Sequence, residues 1–106
     1  MAEPILIRGT LDLLILKALA ATARNGFEIV AELEARSGGA LEIEDSALYQ
    51  ALHRMEQRGL IDAEWGISDN NRRARYYSIT KAGRAHLKAE SKRWLASATI
   101  VRRVLA

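Results

Sequence analysis

The stretch DSALYQALHRMEQRGLIDAEWGISDNNRRARYYSIT, from Asp45 to Thr80, decides the fold of this chain. Polar and apolar residues first alternate at helical spacing and then, after a glycine, at the period of two that marks a half-buried strand. The stretch therefore predicts a helix that ends near Arg58, a strand over Leu60–Trp65, a loop over Gly66–Arg73 and a return strand over Ala74–Ile79.

The predicted helix has two different sides. Leu48, Leu52 and Met55 fall on one side and predict a buried stripe. The other side carries side chains that donate and accept hydrogen bonds, as base edges in the DNA major groove require. They are Ser46, Tyr49, Gln50, His53 and Arg54. Since any soluble helix has a polar side, this pattern alone does not establish DNA recognition.

The loop between the strands adds a second, independent signal. It is rich in side chains that suit contact with phosphates or a narrow minor groove, namely Asn70, Asn71, Arg72, Arg73 and Arg75. A solvated turn is the plainer interpretation, because Asn and Arg are common in turns. Arg75 has a further alternative, an ion pair with Asp62 or Glu64 across the strands.

The rest of the chain completes the arrangement. Residues 1–8 are expected to be a loose lead-in, and Thr10 is a candidate N-cap for an apolar first helix. Asn25-Gly26 predicts a turn, and Phe27, Ile29, Val30 and Leu33 are candidates for the buried side of the second helix. Ser37-Gly38-Gly39 should end that helix, and Thr80 should cap the last one. The predicted helices are Leu11–Thr22, Phe27–Arg36, one from Asp45 to about Arg58, and one from Lys81 to near the C-terminus.

This order predicts a mainly helical α+β fold, a winged helix-turn-helix of three helices and a two-stranded wing with one long added helix. Residues 1–80 would form the DNA-binding domain and residues 81–106 the dimerisation helix, within one structural unit. On a DNA duplex, the third helix would then lie in the major groove and the wing would contact the phosphates beside it.

The last helix predicts pairing with a second copy. Leu87, Trp94 and Val101 recur every seven residues, with Ser91, Ala98 and Leu105 on the adjoining row. A twofold dimer would place two reading helices about 34 Å apart, which favours a palindromic operator. Small residues beside Trp94 leave room for a planar aromatic ligand, although an ordinary packed interface tryptophan is the simpler interpretation.

Composition excludes several classes of protein. With 106 residues and 49% hydrophobic content the chain fits one folded domain, and it has no cysteine for disulfides or thiolate metal sites. The net charge is +3, and most lysines and arginines follow Asn71, where Glu90 is the only acid. His53 and His86 lie on different elements, and no phosphate loop or metalloprotease motif occurs. We therefore expect no enzyme, cofactor, metal site or membrane span, and a soluble cytoplasmic protein.

Five stretches form a specific combination: GTLDLLILKAL from Gly9, NGFEI from Asn25, ELEARSGGALEIEDSALYQALHRMEQRGLI from Glu32, EWG from Glu64 and NNRRARYYSIT from Asn70. With these motifs the sequence resembles the PadR family of bacterial transcriptional regulators. The short chain is similar to the compact subgroup with a single C-terminal helix. Phe27 departs from the tyrosine that many relatives carry there, and Arg24-Asn25 stands where many have a histidine before the glycine.

The resemblance implies a homodimeric repressor whose C-terminal helix contacts the first helix of its partner. It implies DNA contact by Tyr49 and by Arg72, Arg73 and Arg75, and in some relatives a flat aromatic effector at the position of Trp94. The residues expected at the dimer interface are Leu14, Leu87, Trp94, Leu95, Ala98, Val101 and Leu105. A winged-helix module that binds proteins rather than DNA is the alternative.

Overall fold

The computed structural model describes residues 9–106 and has the predicted mainly helical architecture. The predicted winged helix-turn-helix fold with a long C-terminal helix is confirmed, and the sheet gains a third strand in the order β1-β3-β2, all antiparallel. The elements are α1 (Thr10–Leu19), β1 (Arg24–Asn25), α2 (Gly26–Arg36), α3 (Asp45–Gln57), β2 (Ile61–Ile67), β3 (Arg73–Ile79) and α4 (Lys81–Leu105). The expected lead-in over residues 1–8 lies outside the described residues.

Helix α1 differs from its prediction at both ends. Gly9 is the N-cap with a left-handed φ of 91° and no side-chain cap, so the prediction that Thr10 caps this helix was wrong. The helix ends at Leu19 rather than Thr22. The Arg24 side chain donates a 2.7 Å hydrogen bond to the Ala18 carbonyl, one of the groups that a helix end leaves without an intrahelical partner. Beyond the helix end, Arg24 pairs with Tyr77 of β3.

The segment predicted as an Asn25-Gly26 turn is instead a helix start. The Asn25 side chain accepts from the Glu28 N–H at 2.9 Å, and the Glu28 carboxylate accepts from the Asn25 N–H at 2.9 Å. This capping box begins α2 at Gly26. Phe27 lies about 200° around the helix from the buried Ile29. Its predicted place in the core was therefore wrong, and the ring is 82% exposed.

One hydrophobic core joins the three N-terminal helices to the base of the hairpin. The predicted stripe of α3 is fully buried in it, with Ala51 beside Leu48, Leu52 and Met55. Gly59, with φ 73°, follows the C-cap Arg58, as predicted. The other large side chains that are fully buried in this core are Ile15, Leu16, Leu19, Ile29 and Ile61.

The hairpin is longer than predicted and extends beyond the core. Strand β2 continues to Ile67 and β3 starts at Arg73, so the turn shortens to Ser68–Arg72. Ser68 donates its N–H to the Arg72 carbonyl at 2.8 Å, and Asn71 takes a left-handed φ of 61°. Trp65 lies on the predicted side with Ile61 and Ala63, but 61% of it is exposed because the core ends below it.

Helix α4 starts at the base of the hairpin. Thr80 caps it as predicted, accepting from the Gly83 N–H at 3.0 Å and donating to the Gly59 carbonyl at 2.7 Å. The Thr80 N–H also donates to the Leu60 carbonyl at 3.1 Å. The helix then runs for 25 residues to Leu105. Over residues 9–106, no helix combines the length and apolarity needed to span a bilayer.

Candidate nucleic-acid interface

The outer side of α3 carries all five residues predicted to read DNA. Ser46, Tyr49, Gln50, His53 and Arg54 are exposed and lie opposite the buried stripe. Tyr49 also packs toward α2, because a β-carbon placed on Gly26 would lie 2.7 Å from its hydroxyl oxygen. The tyrosine therefore links the exposed side of α3 to the first turn of α2.

Arg54 has a partner inside the chain. Its Nη2 lies 2.7 Å from Oδ1 of Asp12, a nearly buried carboxylate of α1. Arg54 is about half exposed, so the ion pair leaves part of the guanidinium open to solvent. Its contact with DNA stays a prediction, and the structure adds a role in joining α3 to α1.

The strand register gives the wing two faces of different charge. On the inner face, which continues the core-facing side, Trp65 lies opposite Arg75 and Ile67 lies opposite Arg73. On the outer face, Asp62 lies opposite Ser78 and Glu64 opposite Tyr76. The arginines of β3 and the acids of β2 are therefore on opposite faces of the wing.

This register decides between the two interpretations of Arg75. Asp62 and Glu64 cannot pair with it, because they project from the other face, and that predicted alternative was wrong. Arg75 instead donates to the Glu56 carboxylate of α3 at 2.9 Å. The pair joins the wing to α3, and both side chains remain partly exposed.

The other arginines predicted to contact DNA lie at the tip of the wing. Asn70, Asn71, Arg72 and Arg73 are all exposed. Among residues 9–106, neither Arg72 nor Arg73 takes part in an ion pair. Arg73 stacks instead on Trp65, with its guanidinium carbon 4.4 Å from the ring centroid. These two arginines are therefore the wing cations most available to an external anion.

A groove separates the wing from the helices, and we call it the wing groove. It has a volume of about 810 Å³ and lies between the inner face of the wing, Tyr49 and the first turn of α2. Its walls include Phe27, Trp65, Arg72 and Arg73. Sequence reasoning missed Phe27 and Trp65 as surface residues. The period of two already placed Trp65 on the face of Arg75, so the pattern contained that signal.

Two side chains near these elements have shifted pKa values. A hydrogen bond from Arg36, with the nearby charge of Arg24, lowers the pKa of Glu32. Burial raises the pKa of the Tyr77 phenol, which lies on the inner face of the wing. Tyr77 is therefore neutral at ordinary pH and serves as an apolar floor of the wing groove.

The predicted dimer residues divide into two groups. Leu14 and Leu87 are half-buried against the core of their own chain. Trp94 is 42% exposed and Leu95, Val101 and Leu105 are more exposed still, while Ala98 is intermediate. A second groove of about 1050 Å³ separates the start of α1 from the C-terminal half of α4. Trp94, Ala98, Val101 and Leu105 line it together with Asp12.

The comparisons with known proteins agree with this geometry. The model of the transcriptional regulator PadR-like family matches residues 15–89, from the middle of α1 into α4. The chain belongs to the PadR family. PadR proteins are transcriptional regulators, so the expectation that the chain is not an enzyme is confirmed, and DNA-binding regulation is its general function.

Solved structures support the PadR assignment. A transcriptional regulator from Clostridium thermocellum is 28% identical with a TM-score of 0.83, covering 92% of this chain and 94% of that one. A PadR family regulator from Eggerthella lenta is 31% identical with a TM-score of 0.77, covering 92% and 83%. An uncharacterized protein of Lysinibacillus sphaericus is 37% identical over 90 residues, which are 84% of this chain and 82% of that protein.

Proposed function

We propose that this PadR-family regulator binds a palindromic operator as a homodimer and represses the genes beside it. The observation that carries the DNA contact is the charge separation of the wing. Arg72 and Arg73 lie near the reading helix without ion pairs among residues 9–106, while Asp62 and Glu64 face away. A phosphate chain is attracted to the inner face and tip and repelled from the outer face.

Two surfaces divide the work in this proposal. The exposed side of α3, with Ser46, Gln50 and His53, enters the major groove, where glutamine can pair with adenine. Tyr49 and the wing residues Asn70, Asn71, Arg72 and Arg73 contact the backbone and fix the register of the protein on the duplex. Arg54 and Arg75 contribute through the side of each guanidinium that its ion pair leaves exposed.

The test is a titration of a fluorescent duplex from the upstream region of the gene, repeated over a range of salt concentrations. Replacing Arg72 and Arg73 together by Ala should weaken binding to all duplexes. It should also reduce the slope of log affinity against log salt by about four for the homodimer, roughly one for each phosphate that one of the four replaced arginines no longer neutralises. The matched control replaces Lys88 and Lys92, two exposed cations of α4, by Ala and should leave the slope unchanged.

The opposite results have clear meanings. An unchanged slope in the Arg72 and Arg73 double variant would remove the wing from the DNA interface. A wild-type protein that does not bind duplex DNA even at low salt would instead favour the alternative function, a winged-helix module that binds another protein. A DNA-binding regulator acts beside the chromosome, so the proposal includes a cytoplasmic location.

A small aromatic effector is a finer part of the proposal. Half-exposed Trp94 and small Ala98 in the groove between α1 and α4 support it, because a flat ring has space to stack there. An effector of this kind would act by binding two dimer geometries with different affinity. In a Trp65→Phe protein, ethidium should quench the remaining Trp94 fluorescence, and absence of saturable quenching would exclude the site.

A further inference from the structure

Two large aromatic side chains of the wing groove have no assigned role. Phe27 is 82% exposed and Trp65 is 61% exposed. Neither ring is needed to fill the core, and an exposed cluster of large apolar side chains is a feature of interaction sites. They lie on the two walls of the same groove, which also contains Arg72 and Arg73.

The Arg73 guanidinium lies over the Trp65 ring. Arg73 is the diagonal neighbour of Trp65 on the inner face, since Trp65 pairs with Arg75, two residues along β3. The guanidinium stacks 4.4 Å from the indole centroid. Stacking uses the face of the guanidinium and leaves the N–H groups at its edge free to donate to a phosphate.

The arrangement also separates two kinds of arginine. Arg75 is two residue pairs nearer the core than Arg73, and its charge is balanced by Glu56 at 2.9 Å. Arg73 has an aromatic ring in place of a carboxylate, so its positive charge is fixed in place without being neutralised. An arginine that is already held loses less side-chain freedom when it binds an anion.

We propose that Trp65 is a positioning residue for DNA binding, which holds Arg73 toward a phosphate in the wing groove. In this proposal the groove takes one sugar-phosphate strand of the duplex, and Phe27 on the α2 wall packs against its sugars. The inference rests on the proposed function and deepens it. The basic inner face of the wing favours a phosphate chain, and the two rings suit the apolar faces of the sugars.

The main experiment measures duplex affinity over a salt series for Trp65→Ala and Trp65→Phe. Loss of the ring should weaken binding about threefold to tenfold and lower the salt slope of the homodimer by up to about two, because Arg73 of each protomer no longer holds its phosphate. Trp65→Phe keeps an aromatic face and should restore most of both. Ser78→Ala, which truncates an exposed side chain on the outer face of the same hairpin, should bind as the wild type does.

Phe27→Ala provides a different signature. It removes an apolar contact and no charge, so affinity should fall about threefold while the salt slope stays the same. Trp65 can also be observed directly. In a Trp94→Phe protein it is the remaining tryptophan, and its fluorescence should change on addition of duplex DNA. That change should be smaller when Arg73 is replaced by Ala, since the stack that links Trp65 to the phosphate is absent.

The outcomes separate this inference from the proposed function. If Trp65→Ala keeps wild-type affinity and slope while the Arg72 and Arg73 double variant loses both, the inference is wrong and the proposed function stands. If Trp65→Phe binds no better than Trp65→Ala, the positioning role is also wrong. Tighter binding of a single strand than of a duplex at equal salt would mean that the rings stack on bases and would overturn the occupant proposed here. If wild-type protein binds no duplex, both proposals fail.

Discussion

Gly83 lies in the first turn of α4, where a neighbouring backbone comes unusually close. A β-carbon at this position would overlap the carbonyl oxygen of Leu60 and would also lie 2.8 Å from a side-chain carbon of Ile79. The Leu60 carbonyl accepts from the Thr80 N–H, so it cannot move away without breaking that bond. The absence of a side chain at Gly83 is therefore what allows α4 to start against the hairpin.

This contact predicts that a glycine-to-alanine substitution in a helix lowers the free energy of unfolding, the opposite of the usual effect. Glycine to alanine normally stabilises a helix interior by about 1 kcal/mol. Gly83→Ala should instead lower the free energy of unfolding by about 1–3 kcal/mol, because the added methyl group displaces packed backbone. Urea unfolding followed by circular dichroism measures the change. Ala85→Ser adds one atom at an exposed position of the same helix and should have little effect. A stabilised Gly83→Ala protein would contradict the close contact.

Single residues show where sequence patterns were sufficient. The cap at Thr80 was predictable because Thr followed by a polar helix start is a local signal. The cap of α1 was not, since Gly9 takes that place by adopting a left-handed φ and leaves Thr10 inside the helix. Phe27 was misplaced for a related reason. The capping box at Asn25 fixed the start of α2, and with it the direction of every side chain in that helix.

At the scale of elements, ion pairs connect α3 to α1 and to β3. Arg54 connects it to Asp12 of α1, and Glu56 connects it to Arg75 of β3. These contacts join residues 42 and 19 positions apart in the chain, respectively. Ion pairs as well as the buried stripe therefore hold α3 in its orientation toward the wing.

A double-mutant cycle measures the first of these links. Asp12→Ala and Arg54→Ala should each lower the free energy of unfolding, and the coupling between them should be about 1 kcal/mol, reduced by the exposure of Arg54. Arg58→Ala, a neighbouring exposed arginine for which the described chain shows no ion pair, serves as the control in the same cycle. A coupling indistinguishable from zero would mean that the pair does not stabilise the fold.

The helices and the hairpin were largely predictable from the sequence, whereas the contacts between elements were not. Helical spacing, glycine ends and strand alternation are local patterns, so four helices and a hairpin could be assigned from sequence. The two-residue strand β1 could not, because Arg24–Asn25 is extended only through pairing with Tyr76 and Tyr77. The partner of Arg75 was equally hidden, since Glu56 becomes its neighbour only once α3 packs beside the wing.

At the scale of the whole molecule, α4 carries more exposed large apolar side chains than any other described element. Trp94, Leu95, Ile100, Val101, Val104 and Leu105 all remain substantially exposed along the C-terminal half of the helix. Exposed apolar side chains in this number favour association of two copies over a solvated monomer. The apolar groove between α1 and α4 extends the same surface.

Val101→Asp tests dimerisation directly. A carboxylate in the apolar interface should raise the dimer dissociation constant roughly a hundredfold or more, because a buried unpaired charge is costly. Sedimentation velocity over a range of concentrations measures the change, and circular dichroism should show an intact fold, since Val101 is exposed in the single chain. Ala89→Asp, at an exposed alanine in the N-terminal half of α4 outside this apolar group, is the matched control. Equal dissociation of both variants would place the interface elsewhere.

The wing groove could not be assigned from sequence because it exists only in the assembled fold. Phe27, Tyr49, Trp65 and Arg73 come from four different elements, and their convergence depends on how α2, α3 and the hairpin pack. The predicted reading helix and basic wing tip were local features and were placed as exposed surfaces. What lies between them required the three-dimensional arrangement.

The junction at Thr80 has a mechanical consequence. The hydroxyl and the N–H of Thr80 donate hydrogen bonds to the carbonyls of Gly59 and Leu60, respectively. Because Gly83 has no side chain, the first turn of α4 packs directly against the Leu60 backbone. Because these contacts hold α4 firmly against the base of the hairpin, a tilt of α4 by a few degrees would displace the tip of the hairpin. In a pair of molecules, the crossing angle of the two long helices would then determine how far apart the two wings sit.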